Sequence, residues 1–138
     1  MDKISTEYLK RCLDILEKSY LMIKSVPEGS IDYEIYRNSL IKSFEMTLEQ
    51  SGKLLRKKIT PYFASKKAVD ALSFKDLFRH AFKHSLLESN EVERWLQYRD
   101  NRNNTTHDYG QAFAEKTLSL IDEFILDVQN LKKIIEHE

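Results

Sequence analysis

Glycine and proline are nearly absent from this chain, with three and two residues among 138. A β-sandwich or barrel needs a turn about every 8–12 residues, and those turns draw first on these two residue types. So few breakers leave room for long, uninterrupted elements, and the apolar spacing makes them helices. Leu9, Leu13, Leu16, Tyr20 and Ile23 recur at steps of four and three, the single stripe of an amphipathic helix. Pro27, Glu28, Gly29 and Ser30 end it.

The rest of the chain follows the same period. A second helix is predicted from about Asp32, as N-cap, through Tyr36, Leu40, Phe44, Leu48 and Leu55, with Pro61 stopping it. Ser73 with Asp76 forms a capping-box-like start for a shorter helix bearing Phe74, Leu77, Phe78, Ala81 and Phe82. Asn90 with Glu93 repeats the device before Val92, Trp95, Leu96 and Arg99. A last helix, with Asp108 and Gln111 at its start, carries Phe113, Leu120 or Ile121, Phe124, Val128, Leu131 and Ile135. The expectation is an all-α fold: an up-and-down antiparallel bundle of four to five helices in one domain spanning residues 1–138.

Composition bounds the function. Hydrophobic residues make up 41%, including seven Phe, seven Tyr and one Trp, enough to fill a core. The 22 basic residues balance 22 acidic ones, so any nucleic-acid or membrane surface must be local. The lone Cys12 excludes an internal disulfide and a cysteine-cluster metal site, and it falls beside the first apolar stripe as a core residue. No stretch approaches a membrane span, and Met1-Asp2-Lys3-Ile4 opens without an apolar signal segment, so the expected location is cytoplasmic, with no membrane partner. There is no Gly-rich phosphate loop, which argues against an NTPase or a nucleotidyltransferase.

Two segments stand out. Between residues 53 and 67 the chain carries Lys53, Arg56, Lys57, Lys58, Lys66 and Lys67 with no acid. Cations suit a helix C-terminus, and the same run could contact phosphates, with Lys53, Arg56, Lys57 and Lys58 as the RNA-binding candidates. The second is Arg102-Asn103-Asn104-Thr105-Thr106-His107-Asp108, a run with no apolar residue and four poor helix formers in succession, set between two apolar helices. Its polar groups must be solvated, line a cavity or meet a partner.

Arg102 and His107 would lie roughly 140° apart on an unbroken helix, so they converge only if the intervening residues leave the helix or a second subunit joins them. An arginine and a histidine in one cleft suit phosphoryl chemistry: arginine fixes phosphate oxygens, and histidine moves a proton near neutral pH. RNA brings its own nucleophile, the 2′-hydroxyl. Cleavage through it needs a general base and a cation but no metal or cofactor, and Asn103 can add a hydrogen bond. The bland counterpart of an Arg-x4-His spacing is a capped loop between helices. His80, His84 and Glu88 share one helix face at metal-ligand spacing, yet nothing resembles His-Glu-x-x-His, and a solvated face is the better account.

Taken whole, the run from Trp95 through Arg102, Asn103 and His107 to Tyr109 resembles the signature of the HEPN superfamily, in its R-x4-H-x-Y form. The stretches Tyr36–Glu45 through Leu55, and Phe74–Leu87, are similar to the second and third helices of the nucleotidyltransferase substrate-binding branch. The resemblance covers residues 5 to 135, with one departure: Asn104 stands where many relatives carry an apolar residue. It implies a helical homodimer that joins two motifs across the interface, a metal-independent ribonuclease site of Arg102 and His107 assisted by Asn103, and a toxin role. It further implies a cognate minimal nucleotidyltransferase as antitoxin partner, which transfers AMP onto Tyr109. The alternative it leaves open is a non-catalytic subunit that helps such an enzyme hold its substrate.

Overall fold

The first stripe becomes α1, Glu7–Ile23, which buries Leu9, Cys12, Leu13, Leu16 and Ile23. In this computed structural model, which describes residues 3–103 and 111–137, every regular element among the described residues is helical. α2 (Ile31–Ile59) follows, then a 3₁₀ turn at Thr60–Tyr62 and the short α3 (Lys66–Asp70). α4 (Phe74–Lys83), α5 (Ser89–Asn103) and α6 (Gln111–Glu136) complete the order. The all-α expectation holds. Among the described residues the number of α-helices rises to six because the basic run did not announce α3, which Ser65 caps by accepting from the Ala68 N–H at 3.1 Å.

Two caps differ from the sequence expectation. Ser30, in extended backbone, accepts from the Tyr33 N–H at 3.1 Å and begins α2, which places Asp32 inside the first turn, where its charge favours the helix dipole. α5 begins at Ser89, one residue ahead of Asn90, and the Glu91 carboxylate reaches back to the Glu88 N–H at 3.5 Å. The Ser73 cap is where the sequence placed it, accepting from Asp76 N–H at 3.1 Å. Pro61 sits in the 3₁₀ turn, where α2 stops.

Cross-contacts fix the directions. Ser19, late in α1, meets Ser39, early in α2, at 2.8 Å between hydroxyls, so the pair is antiparallel. Asp127 of α6 meets Arg94 and Tyr98 of α5, while Thr117 meets Asn101, so rising numbers in one helix oppose rising numbers in the other. Lys58 near the end of α2 donates to the His137 carbonyl past the end of α6, so these two helices run the same way. The four long helices thus alternate up and down, with α4 packed across α2 and α5.

The core is aromatic at its centre. Phe124 lies 4.6 Å from Phe44, 4.9 Å from Tyr98 and 5.8 Å from Trp95, and Trp95 stacks on Phe78 at 4.9 Å. Each such side chain stabilises by about 2–3 kcal/mol through burial, and truncating one to alanine costs about 3–5 kcal/mol. α2 admits its neighbours closely because it presents small residues. Thr47 and Ser51 return their hydroxyls to the carbonyls of Ser43 and Thr47 at 2.7 Å, and Gly52 lies under the Phe74 ring, whose Cε2 would be 3.0 Å from an added Cβ. Among the described residues no helix is long and apolar enough to cross a membrane.

Candidate functional site

Arg102 occupies the last turn of α5 and is half-buried. Three interactions hold that end of the helix in place. Asn101, itself buried, donates from Nδ2 to Thr117 Oγ1 at 3.1 Å. Lys75 of α4 pairs with Asp100 at 2.8 Å. One and two turns further back, Tyr98 donates its hydroxyl to Asp127 Oδ2 at 2.5 Å and Arg94 engages both Asp127 oxygens at 2.8 Å. A planar guanidinium facing a carboxylate through two bonds sets orientation as well as energy, so α5 has one rotational setting against α6.

The charges respond to this packing. The hydrogen bond to Asp127 raises the Arg94 pKa above its ordinary value, and burial, followed by Asp127, pushes the Tyr98 hydroxyl up. Arg99, three residues before Arg102, is pulled the other way, by burial first and by the Arg102 charge second. Its guanidinium carbon lies 5.0 Å from the centre of the Phe74 ring. Two arginines one turn apart therefore stand together at the end of α5. The pair can neutralise a phosphodiester more fully than Arg102 alone. The sequence by itself assigns Arg99 no role at the site, although its i, i+3 spacing to Arg102 is visible there.

The remaining motif residues divide by position. Helix α5 extends through Asn103, so Arg102 is a helical residue, and α6 resumes at Gln111. His107 and Tyr109, like the Asp108 cap, lie outside the described residues, as does the Asn103 side chain.

The basic run divides between the fold and the solvent. Arg56 is half-buried and donates to the Val69 carbonyl at 2.5 Å and the Leu72 carbonyl at 3.1 Å, closing the C-terminal end of α3. Lys53 faces Glu49 at 4.0 Å, Lys66 pairs with Asp70 at 3.4 Å, and Lys57 points to solvent. Lys58 lies at the His137 end of α6. Sixteen residues of α6 separate Thr117, beside Asn101, from Lys133 near that end, roughly 24 Å along the helix.

His80 and His84 are engaged in ring contacts. His84 stacks on Tyr62 at 4.1 Å and Phe63 meets His80 edge-on at 4.9 Å. Among the described residues no group of three or more His, Cys, Asp or Glu is placed to hold a metal ion. Cys12 is buried, and burial raises its thiol pKa, which suits an inert core residue.

With this geometry in place, comparison with known proteins adds a context. A family model described as nucleotidyltransferase substrate binding protein like matches residues 5–137. A Haemophilus influenzae Rd protein named "Probable ribonuclease HepT" is 27% identical over 130 residues, spanning 91% of this chain and 88% of its own. The solved structure of HI0074 from Haemophilus influenzae, described as the fold of a substrate binding domain of a nucleotidyltransferase, superposes with a TM-score of 0.82 at 24% identity, covering 96% of this chain and all of that one. A crystal structure from Thermus thermophilus gives a TM-score of 0.74 at 20% identity, over 94% of this chain and 99% of its own.

Proposed function

Since the chain belongs to the nucleotidyltransferase substrate binding protein-like family, the branch its HEPN motif resembles, we propose that it is a metal-independent endoribonuclease toxin of a toxin–antitoxin module. The observation that carries this is Arg102 on a rigidly held helix end, with Arg99 one turn behind and the motif histidine five residues on. The likeness to a protein named as a ribonuclease supports it.

In this reading His107 takes the proton from a ribose 2′-hydroxyl. The 2′-oxygen bonds to phosphorus, the bond from phosphorus to the 5′-oxygen breaks, and a protonated histidine supplies the departing oxygen with its proton. The products are a 2′,3′-cyclic phosphate and a 5′-hydroxyl. Arg102, aided by Asn103, holds the phosphate oxygens as charge builds on them. Two copies of the chain, related by a two-fold axis, close the site, and Lys53, Lys57 and Lys58 draw RNA to a surface whose affinity falls with salt. Arg56 contributes through the fold instead, since its guanidinium is engaged with carbonyls.

The partner is a minimal nucleotidyltransferase in the cytoplasm. It neutralises the toxin when the Tyr109 hydroxyl attacks the α-phosphate of ATP and pyrophosphate leaves, which sets a negative phosphate beside Arg102 and His107. Purified protein with EDTA should cleave RNA, and His107→Ala or Arg102→Ala should abolish cleavage. Cleavage that survives His107→Ala, or that EDTA removes, overturns the assignment. Intact-mass spectrometry after co-expression with the nucleotidyltransferase should show an AMP-sized addition that Tyr109→Phe lacks.

The family description favours one other reading, a non-catalytic subunit that holds substrate for the nucleotidyltransferase. It predicts no cleavage by any variant but an altered Michaelis constant of the partner enzyme.

A further inference from the structure

We propose a second binding site, for a nucleotide, at the opposite end of the bundle from Arg102. A cavity of about 430 Å³ lies there, lined by Lys58, Tyr62, Ser85, Lys133 and His137 with Leu86 and Ile134 as its apolar wall. Its size falls within the range of small-molecule pockets, roughly 300–1,000 Å³.

Three observations converge on the ligand class. The first is a row of flat rings. His80 and His84 lie 6.3 Å apart at 18°, and His84 stacks on Tyr62 at 4.1 Å and 9°. Tyr62 ends the row and keeps 51% of its surface exposed, so a further plane can extend the stack on its outer side. Nucleobases present such a plane, and stacking accepts any of them.

The second is charge. Lys58 and Lys133 both line the cavity, and among the described residues no Asp or Glu does. The neighbouring Glu136 is turned to Lys132 at 2.8 Å. Lys58 donates one hydrogen to the carbonyl of His137, also on the cavity lining, and keeps two more donors for an anion. A ring platform beside paired ammonium groups matches a base joined to a phosphate.

The third is rigidity. Tyr62 sits on the 3₁₀ turn closed by Pro61 and by the Phe63 N–H to Thr60 carbonyl bond at 3.0 Å. The facing wall carries Ser85 at φ 61°, the left-handed position that closes α4. The Leu86 N–H reaches the Ala81 carbonyl at 2.8 Å and the Ser85 N–H reaches the Phe82 carbonyl at 3.0 Å around it. Both walls are thus fixed before any ligand arrives, which lowers the ordering cost of binding. Glycine would hold that backbone without strain; serine adds a hydroxyl to the cavity wall.

The site shares Lys58 with the RNA-attracting surface but is independent of the cleavage chemistry at Arg102. The same chemistry could come from a free mononucleotide or from one residue of an RNA strand. The experiment is an NMR titration of the full-length protein carrying His107→Ala, which leaves RNA intact, with AMP and, separately, with hexariboadenylate, following the ring resonances of Tyr62 and His84. Those rings should shift with both probes. Tyr62→Ala should weaken AMP binding by about ten-fold or more, Tyr62→Phe should retain it, and Lys133→Glu should weaken it and flatten the salt dependence. Tighter binding of the hexamer than of AMP assigns the site to an RNA strand; equal affinity assigns it to a free nucleotide. Rings that do not move at millimolar AMP, or affinity unchanged by Tyr62→Ala in a variant with native circular dichroism, overturn the proposal. RNA cleavage is not the readout, so failure here leaves the Arg102 assignment standing.

Discussion

Replacing Asp127 with alanine removes the carboxylate on which Arg94 and Tyr98 converge, and the two donors it strands have different options. Asp127 is 5% exposed and accepts two bonds from Arg94 at 2.8 Å and one from Tyr98 at 2.5 Å. Tyr98 is 0% exposed, so water does not replace its acceptor, and an unsatisfied buried hydroxyl costs about 1–3 kcal/mol. The Arg94 side chain keeps 28% exposure and can turn to solvent. Its share falls to about 1 kcal/mol, well below the 3–5 kcal/mol of a fully buried broken pair. The total is about 2–4 kcal/mol, or a fall in Tm of roughly 6–15 °C for a chain of this length. Urea unfolding followed by far-ultraviolet circular dichroism, at fixed protein concentration, measures it. The sharper test is a sign reversal. Tyr98→Phe should destabilise the wild type by about 1 kcal/mol, because it deletes a bond to a charged acceptor. In the Asp127→Ala background the same change should stabilise by a similar amount, because it deletes the stranded donor. If Tyr98→Phe lowers stability equally in both backgrounds, or Asp127→Ala costs less than about 1 kcal/mol, the hydroxyl does not depend on Asp127 as argued.

Three further outcomes follow from the same structure. Burial holds the Tyr98 pKa above its ordinary 10.0, so above that pH the unfolded chain releases a proton that the folded chain keeps. Stability should therefore be unaffected by this group below pH 10 and fall above it by up to about 1.4 kcal/mol per pH unit, a slope that Tyr98→Phe should reduce in alkaline urea titrations. Ser85→Gly should raise the urea midpoint, by the equivalent of about 0.5–1 kcal/mol, since Ser85 holds φ 61° without the freedom of glycine. Gly52→Val should cost about 1–3 kcal/mol by forcing the Phe74 ring outward, whereas in Gly52→Ala the helix gain of about 1 kcal/mol offsets the 3.0 Å contact, so the two thermal melts should diverge.

What could be read from the chain was what repeats locally. Leu9 to Ile23 and Phe113 to Ile135 mark helices because neighbouring residues three and four apart must share a face, and Ser73 marks a start because its partner is three residues away. The role of Arg56 was not legible: its acceptors lie 13 and 16 residues on, across a helix end that only folding creates. The Tyr62–His84 stack joins a 3₁₀ turn to the end of α4 and has no periodic trace either. At the candidate site, composition singled out Arg102, while the packing that orients it, through Asp127 and Thr117, belongs to a different helix. His107 and Tyr109 remain sequence expectations carried into the proposed function.

The position of α2 bears on the order in which the molecule assembles. It packs against every other helix, but most extensively against α1, its sequence neighbour across residues 24–30. Closing that short connection costs little chain entropy, whereas α6 must return from the far end of the chain to reach the same surface. The α1–α2 hairpin is therefore the natural nucleus, and α6 the last element to dock. Core truncations such as Leu13→Ala or Leu48→Ala should slow refolding, with φ near one half or above, while Val128→Ala should chiefly accelerate unfolding. In stopped-flow chevrons the two classes would separate onto opposite arms, and a slowed folding arm for Val128→Ala would invert the order.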